Sequence, residues 1–335
     1  MRVFRLKFHS ALHVDSKGSG EPEVAEEFIH SDTVSAALCL AWSSLYRDTQ
    51  DEFFLNPPFR VSSAFPYIGD ILLFPAPAWN CWKEDDPVKR KETKKVRWIS
   101  RELFELVLSG HSLDFSQAAV ITNNVAVSRA EAEANPELRK VSLWAIIERQ
   151  RVSVDRLGIP GEGGLFSFAL QFFSQASGLY ILADVPDEQR ARFRSALGYL
   201  GDCGIGADRN SGLGHFKVVD ETEFSISLPA RAEAWITLSL FNPGPDNDIL
   251  TMTRQAAYGL LTRSGWISGT TIGRPPIRVF VEGSCFSEKP VGRVVPMLSA
   301  DVREKYGLQI DHCAARDFRS ISLPCVKPAY LEENS

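Results

Sequence analysis

The sequence predicts an α+β protein whose first half is a ferredoxin-like unit, a split motif in the order β-α-β-β-α-β. Three observations carry the prediction. An alternating strand runs straight into an amphipathic helix. Two apolar strands near the middle are followed by a second helix. A glycine-rich loop then leads into one more strand.

Val3–His9, "VFRLKFH", alternates strictly. Phe4, Leu6 and Phe8 face one way, and Arg5, Lys7 and His9 form a basic open face. "HSDTVSAALCLAWSSLYR" follows as a helix that Ser31 or Asp32 can cap, with Val34, Leu38, Ala41 and Leu45 as its apolar stripe. Residues 50–155 read as an insertion, extended and partly mobile, on the surface of the unit. Its "FLNPPF" and "LLFPAPAW" carry prolines that break regular elements, and "RAEAEANPELRK" is polar.

Pattern resumes at "GLFSFALQFF", with Phe166, Phe168, Leu170 and Phe172 on one face, and at "GLYILADV"; the short "SQASG" joins the two as a hairpin. "DEQRARFRSALGYLG" is the second helix, capped by Asp187, striped by Phe193, Ala196, Leu197 and Leu200, and stopped by Gly201. "HFKVVD" closes the unit. The first domain therefore spans residues 1–220. A second α+β unit occupies 221–330, with strands in "AWITLSLF" and "IRVFVEG" and a helix in "MTRQAAYGLLTR".

The formal net charge of −5 argues against indiscriminate polyanion binding, so nucleic-acid contact has to come from local patches. Six scattered cysteines form no C-x-x-C pair, and no metal or other cofactor is expected. The N-terminus lacks the apolar core of a secretory signal, and no apolar run reaches the roughly 20 residues that cross a bilayer. A cytoplasmic protein without a membrane partner is the expectation.

The segment that stands out is "GDCGIGADRNSGLGHF", Gly201–Phe216. Gly201, Gly204, Gly206, Gly212 and Gly214 allow positive φ, so successive N–H groups can converge into an anion-binding nest. Arg209 adds planar donors suited to phosphate, and Ser211 adds a hydroxyl. The loop precedes a strand, unlike a Rossmann fingerprint, and lacks the G-K-[ST] of a Walker loop. Anion binding and a purely structural turn both fit the glycines.

A second candidate is the basic run Lys83–Arg101, with Trp79, Trp82 and Trp98 interleaved, which suits an RNA backbone and unpaired bases or a solvated surface. His9, His13, His30 and His215 lie at element ends, where paired histidines could cleave RNA without metal, though the spacing demands no such site. Glu84–Asp86 reads as a solvated run, and Asp155 beside Arg156 as an ion pair or turn.

"GIGADRNSGLGHF" resembles the G-x-G-x-x-x-S-x-G-x-G loop of the RAMP superfamily, the RNA-binding proteins of CRISPR–Cas systems; Gly204, Gly206, Ser211, Gly212 and Gly214 match it. "LKFHSALHV", "IHSDTVSAAL", "VSVDRLGIPGEGGLF", "LTRSGWI" and "VEGSCF" follow in the order of the type III-A Csm-complex subunit that caps the guide RNA. The resemblance covers about residues 4–286. Ala207-Asp208 departs from it, where many relatives have a small residue and a basic one.

The resemblance implies tandem ferredoxin-like domains, the second divergent, with a thumb-like insertion in the first that falls within 50–155. It implies a non-catalytic antiviral scaffold that grips the crRNA 5′ tag, meets target RNA indirectly, and docks the large polymerase-like subunit and the repeated backbone subunit. The RNA-binding residues it points to are Gly204, Gly206, Arg209, Asn210, Ser211, Gly212, Gly214 and His215, with His13, Arg156, Lys94, Lys95 and Arg97. The alternative is the guide-processing endoribonuclease of the same superfamily. That enzyme usually carries its loop near the C-terminus, whereas about 120 residues follow the loop here.

Overall fold

The computed structural model describes residues 1–15, 21–47, 51–84, 86–139, 142–153, 164–245, 247–267, 270, 272–298, 304 and 313–327. Four strands and two helices make its central unit: β1 (Arg2–Phe8), α1 (Ser31–Tyr46), β2 (Phe65–Ile68), β3 (Ser177–Asp184), α2 (Arg190–Cys203) and β4 (Phe216–Glu223). In space the strands lie β4-β1-β3-β2, each antiparallel to its neighbour.

The alternation in β1 sets the layers. Phe4, Leu6 and Phe8 pack with Leu38 and Trp42 of α1 and with Phe193 and Leu200 of α2, so both helices cover one face. β3 is buried on both faces: Leu179 and Ile181 meet the helices, and Tyr180 and Leu182 enter a second core on the other side. The basic face of β1 is neutralised within the protein. Arg5 ion-pairs with Asp70 at 3.0 Å, and Lys7 Nζ donates to the carbonyls of Ser174 and Ser177 at 3.0 and 3.2 Å.

Residues 50–155 are not the extended, mobile insertion expected of their prolines and charges. β2 lies among them, and beyond it the sheet continues through Ile71–Pro75, Trp98–Ser100, Val125–Ser128 and Ala118–Ile121. Leu73, Phe74, Ile99 and Phe104 are fully buried, with the Phe74 and Phe104 rings stacked at 4.5 Å. Pro66 sits inside β2 and Pro75 ends its strand. Each removes one ladder donor and leaves the apolar burial intact.

The pairing of "GLFSFALQFF" also differs. Gly164–Phe173 does not ladder with β3; it pairs residue by residue with Trp144–Ser153 in a separate two-stranded ribbon. Residues 145–150 of the ribbon are exposed throughout, while Phe168 and Leu170 on the partner strand pack against Ala11 and Leu213. The chain does turn between the two apolar runs, but β3 leaves to fill the gap between β1 and β2, where its doubly apolar faces can be covered.

Helix ends depart in detail. Neither Ser31 nor Asp32 caps α1. Ser31 Oγ accepts from the Leu240 N–H, and Asp32 is buried against the C-terminal half. Trp42 fills the stripe position expected of Leu45, which is exposed. Ahead of α2, Asp187 lies in a short 3-10 turn. The helix then runs through Gly201 to Cys203.

The described residues of the C-terminal half form a three-stranded sheet, Cys285–Phe286, Ala234–Thr237 and Ser322–Cys325, and two separate strand pairs. No second four-stranded sheet is present among its described residues. The helix expected in "MTRQAAYGLLTR" stops at Arg254, and Leu260–Arg263 pairs with Ile277–Phe280 as a strand. Leu260 and Thr262 face solvent while Leu261 and Arg263 turn inward, a period of two that overrides the helical reading.

The halves are joined by polar contacts around α1. Asp32 binds Arg263 at 3.0 Å and Arg316 at 3.4 Å. His30 Nδ1 lies 2.9 Å from Glu282, which also accepts from Ser63 Oγ. Burial alone would raise the Asp32 carboxyl; the two guanidinium groups overcome this and hold it well below the usual carboxylate range.

Candidate nucleic-acid interface

The glycine loop closes on itself and on the segment after β1. Ile205 N–H donates to the Gly214 carbonyl, Gly214 N–H to Ala11, and Ala207 N–H to His13, at 2.8–3.0 Å. Gly214 and Gly206 have positive φ, and a Cβ at either would strike a carbonyl oxygen, that of Ile205 or of His13. These two glycines are required by close backbone approach. Gly212, with open space around it, is required only by its φ of +83°.

That closure leaves one stretch of backbone open. The N–H groups of Gly206, Asp208, Arg209 and Asn210 find no acceptor among the described residues, and 207–212 is exposed. Converging free N–H groups beside an arginine form an anion cradle. Asp208, the departure from the loop pattern, is neutralised by an ion pair with Arg151 of the ribbon.

The cradle opens onto a cleft of about 470 Å³ between the loop, α1 and the C-terminal half. Arg209, Arg263, Arg274 and Arg316 line it, together with Trp266, which is 60% exposed. Among the described residues no group of three or more His, Cys, Asp or Glu side chains could hold a metal ion, and no helix is long and apolar enough to cross a membrane.

A family model for the CRISPR Csm4 C-terminal domain matches residues 230–308, the stretch that holds Arg263, Trp266 and Arg274. The CRISPR system Cms protein Csm4 of Mycobacterium tuberculosis is 24% identical over 301 residues, which span 88% of this chain and 90% of that protein. Its namesake from Thermococcus onnurineus is 27% identical over 244 residues, 70% of this chain and 72% of the relative. The fold is shared with a Csm3–Csm4 subcomplex of the type III-A interference complex, at TM-score 0.69, 18% identity, 97% of this chain and 100% of that one. It is also shared with a Csm1–Csm4 cassette in complex with cA4, at TM-score 0.58, 19% identity and 98% of both chains. Over most of its length this chain is similar to Csm4 proteins in sequence, and it shares their fold.

The expected site residues fall into three groups. Gly204, Gly206, Arg209, Asn210, Ser211, Gly212 and Gly214 lie together in the loop, with Arg209 and Gly206 on the cleft. His13 is only 4% exposed; its Nδ1 lies 2.7 Å from the Ala169 carbonyl, so it braces the ribbon against the loop. His215 is half-buried, its ring 6.1 Å from that of exposed His9.

Lys94 and Lys95 are exposed, but Arg97 pairs with Glu26 and Glu27 at 3.4 Å. Trp82 and Trp98 are buried in the core and Trp79 is partly buried against it, so the aromatics interleaved with the basic run are engaged in packing. Arg156 lies outside the described residues. Arg151, Arg263, Trp266, Arg274 and Arg316 were not singled out as site residues by sequence reasoning. The first sits on an alternating strand opposite phenylalanines, and the next two lie inside the quoted "LTRSGWI".

Proposed function

We propose that this Csm4-like chain is a non-catalytic RNA-binding subunit of a type III-A CRISPR effector complex. It grips the 5′ repeat-derived tag of crRNA and anchors the large polymerase-like subunit. The carrying observation is the cleft, where backbone N–H groups of the loop without acceptors among the described residues lie beside exposed Arg209 and half-buried Arg274, on a chain that is acidic overall; Arg263 and Arg316 behind them are held by Asp32. Such a surface takes a phosphate backbone locally while the net charge repels polyanions elsewhere.

Solved relatives support the partners, since Csm4 pairs with Csm3 in one structure and with Csm1 in another. The ribbon of Trp144–Ser153 and Gly164–Phe173 is our candidate for the thumb that meets guide and target. Two strands alone are marginally stable in water, and this ribbon exposes Ile146, Ile147, Val152 and Leu165, as a segment awaiting a partner does. We read residues 221–330 as the divergent second unit.

The His9–His215 pair supports a second reading, metal-independent cleavage of repeat RNA. Incubating the full chain with repeat RNA in EDTA separates the two. The scaffold reading expects intact RNA; specific cleavage abolished by His9→Ala or His215→Ala would establish the nuclease.

A further inference from the structure

The wall of the cleft opposite the glycine loop is a built aromatic ledge, the tip of the hairpin that joins Leu260–Arg263 to Ile277–Phe280. Trp266 bridges to Gly273, and the Arg274 N–H donates to the Gly265 carbonyl at 2.7 Å, so backbone bonds fix the residues on either side of Trp266. Ile267, the next residue, is 3% exposed and packs with Met297 and Ala314, which turns the Trp266 indole the other way, into the cleft. Underneath, Arg274 Nη2 donates to the Ser264 carbonyl across Gly265, where a side chain would strike the guanidinium. Arg274 Nε is buried and has no hydrogen-bond partner.

The indole is 60% exposed beside arginines and has no ring partner among the described residues, so its flat face is open to a ligand in the cleft. The occupant must be flat and apolar on its face and anionic at its edge, because Arg209 and the free N–H groups face the indole across the same cleft. An unpaired nucleotide fits both demands, and base stacking on an aromatic side chain tolerates any base. We propose that Trp266 is a stacking platform for one unpaired base of single-stranded RNA whose phosphates lie along Arg209 and the glycine-loop N–H groups. Arg274 is the positioning residue that holds the platform. The inference rests on the RNA reading above and adds where a base goes.

The test uses the full chain and a repeat-derived single-stranded RNA carrying 2-aminopurine at one position at a time. One position should be quenched on binding. Trp266→Ala should abolish that quench and weaken binding between about fivefold and a hundredfold, while Trp266→Phe retains most of both. An abasic nucleotide at the same position should weaken the native chain and leave Trp266→Ala unchanged. If Trp266→Ala binds like the native chain while Arg209→Ala still loses affinity, the platform is refuted and the RNA reading stands. If the native chain binds no RNA, both fall. Because Trp266 is exposed, its variants should melt with the native chain.

Discussion

The Arg151 guanidinium lies 4.3 Å above the ring of Phe168 and ion-pairs with Asp208, so a ribbon residue neutralises the acidic residue of the glycine loop. Phe168 in turn packs 4.3 Å from the His13 ring, and His13 accepts the Ala207 N–H through its carbonyl. Ribbon, the segment after β1 and the loop are thereby tied by one stack. Arg151→Ala should cost about 1 kcal/mol or less in global stability, since the pair is half-exposed. Amide exchange in 144–153 and 164–173 should nevertheless accelerate. Unchanged exchange there would show that the ribbon is held by its apolar base alone.

Two glycines of the loop should respond differently to the same change. Gly214→Ala meets both a positive φ and the Ile205 carbonyl, and should cost at least about 2 kcal/mol and abolish RNA binding. Gly212→Ala meets only its φ and should cost about 1 kcal/mol. Urea melts of the two variants check the order; equal losses would contradict the close-approach account.

Asp32 links α1 to Arg263 and Arg316, and its folded-state pKa is depressed below that of the unfolded chain. The stability it contributes is therefore fully present above the unfolded value of about 4 and is lost as pH falls towards the folded one. Asp32→Asn should cost about 3–5 kcal/mol at neutral pH, because two buried cations lose their partner. The gap from the native chain should close as pH drops below about 4. A gap that stays constant down to pH 2 would exclude the clamp.

Arg209 is exposed at the mouth of the cleft, and nothing else in the described structure depends on it. Arg209→Ala should leave the melting temperature within about 1 °C and weaken binding of 5′-tag RNA by about 1–3 kcal/mol. The loss should shrink as salt rises, which a titration between low and moderate ionic strength reads out.

What was legible in the sequence was what is locally periodic. Phe4, Leu6 and Phe8 declare β1, and Phe193 to Leu200 declare the buried face of α2. The loop's glycines mark backbone that must come close to itself. What stayed hidden depends on partners far along the chain. Asp32 looks like a helix cap until Arg263 and Arg316 arrive from more than two hundred residues away. Trp82 and Trp98 look available for stacking until Phe28 and Phe65 of the same core surround the second of them. Pro75 looks like a breaker, yet burial of Leu73 and Phe74 outweighs the ladder donor it removes. The cleft itself joins a loop near residue 209 to a hairpin tip near 266, a juxtaposition that no local pattern encodes.

The most direct test of the central claim is a gel shift of end-labelled repeat RNA by the full chain in EDTA, which reports binding and cleavage in one lane. The account predicts a shifted, intact RNA whose affinity falls with Arg209→Ala. An unshifted RNA, or one cut at a specific position, would contradict it.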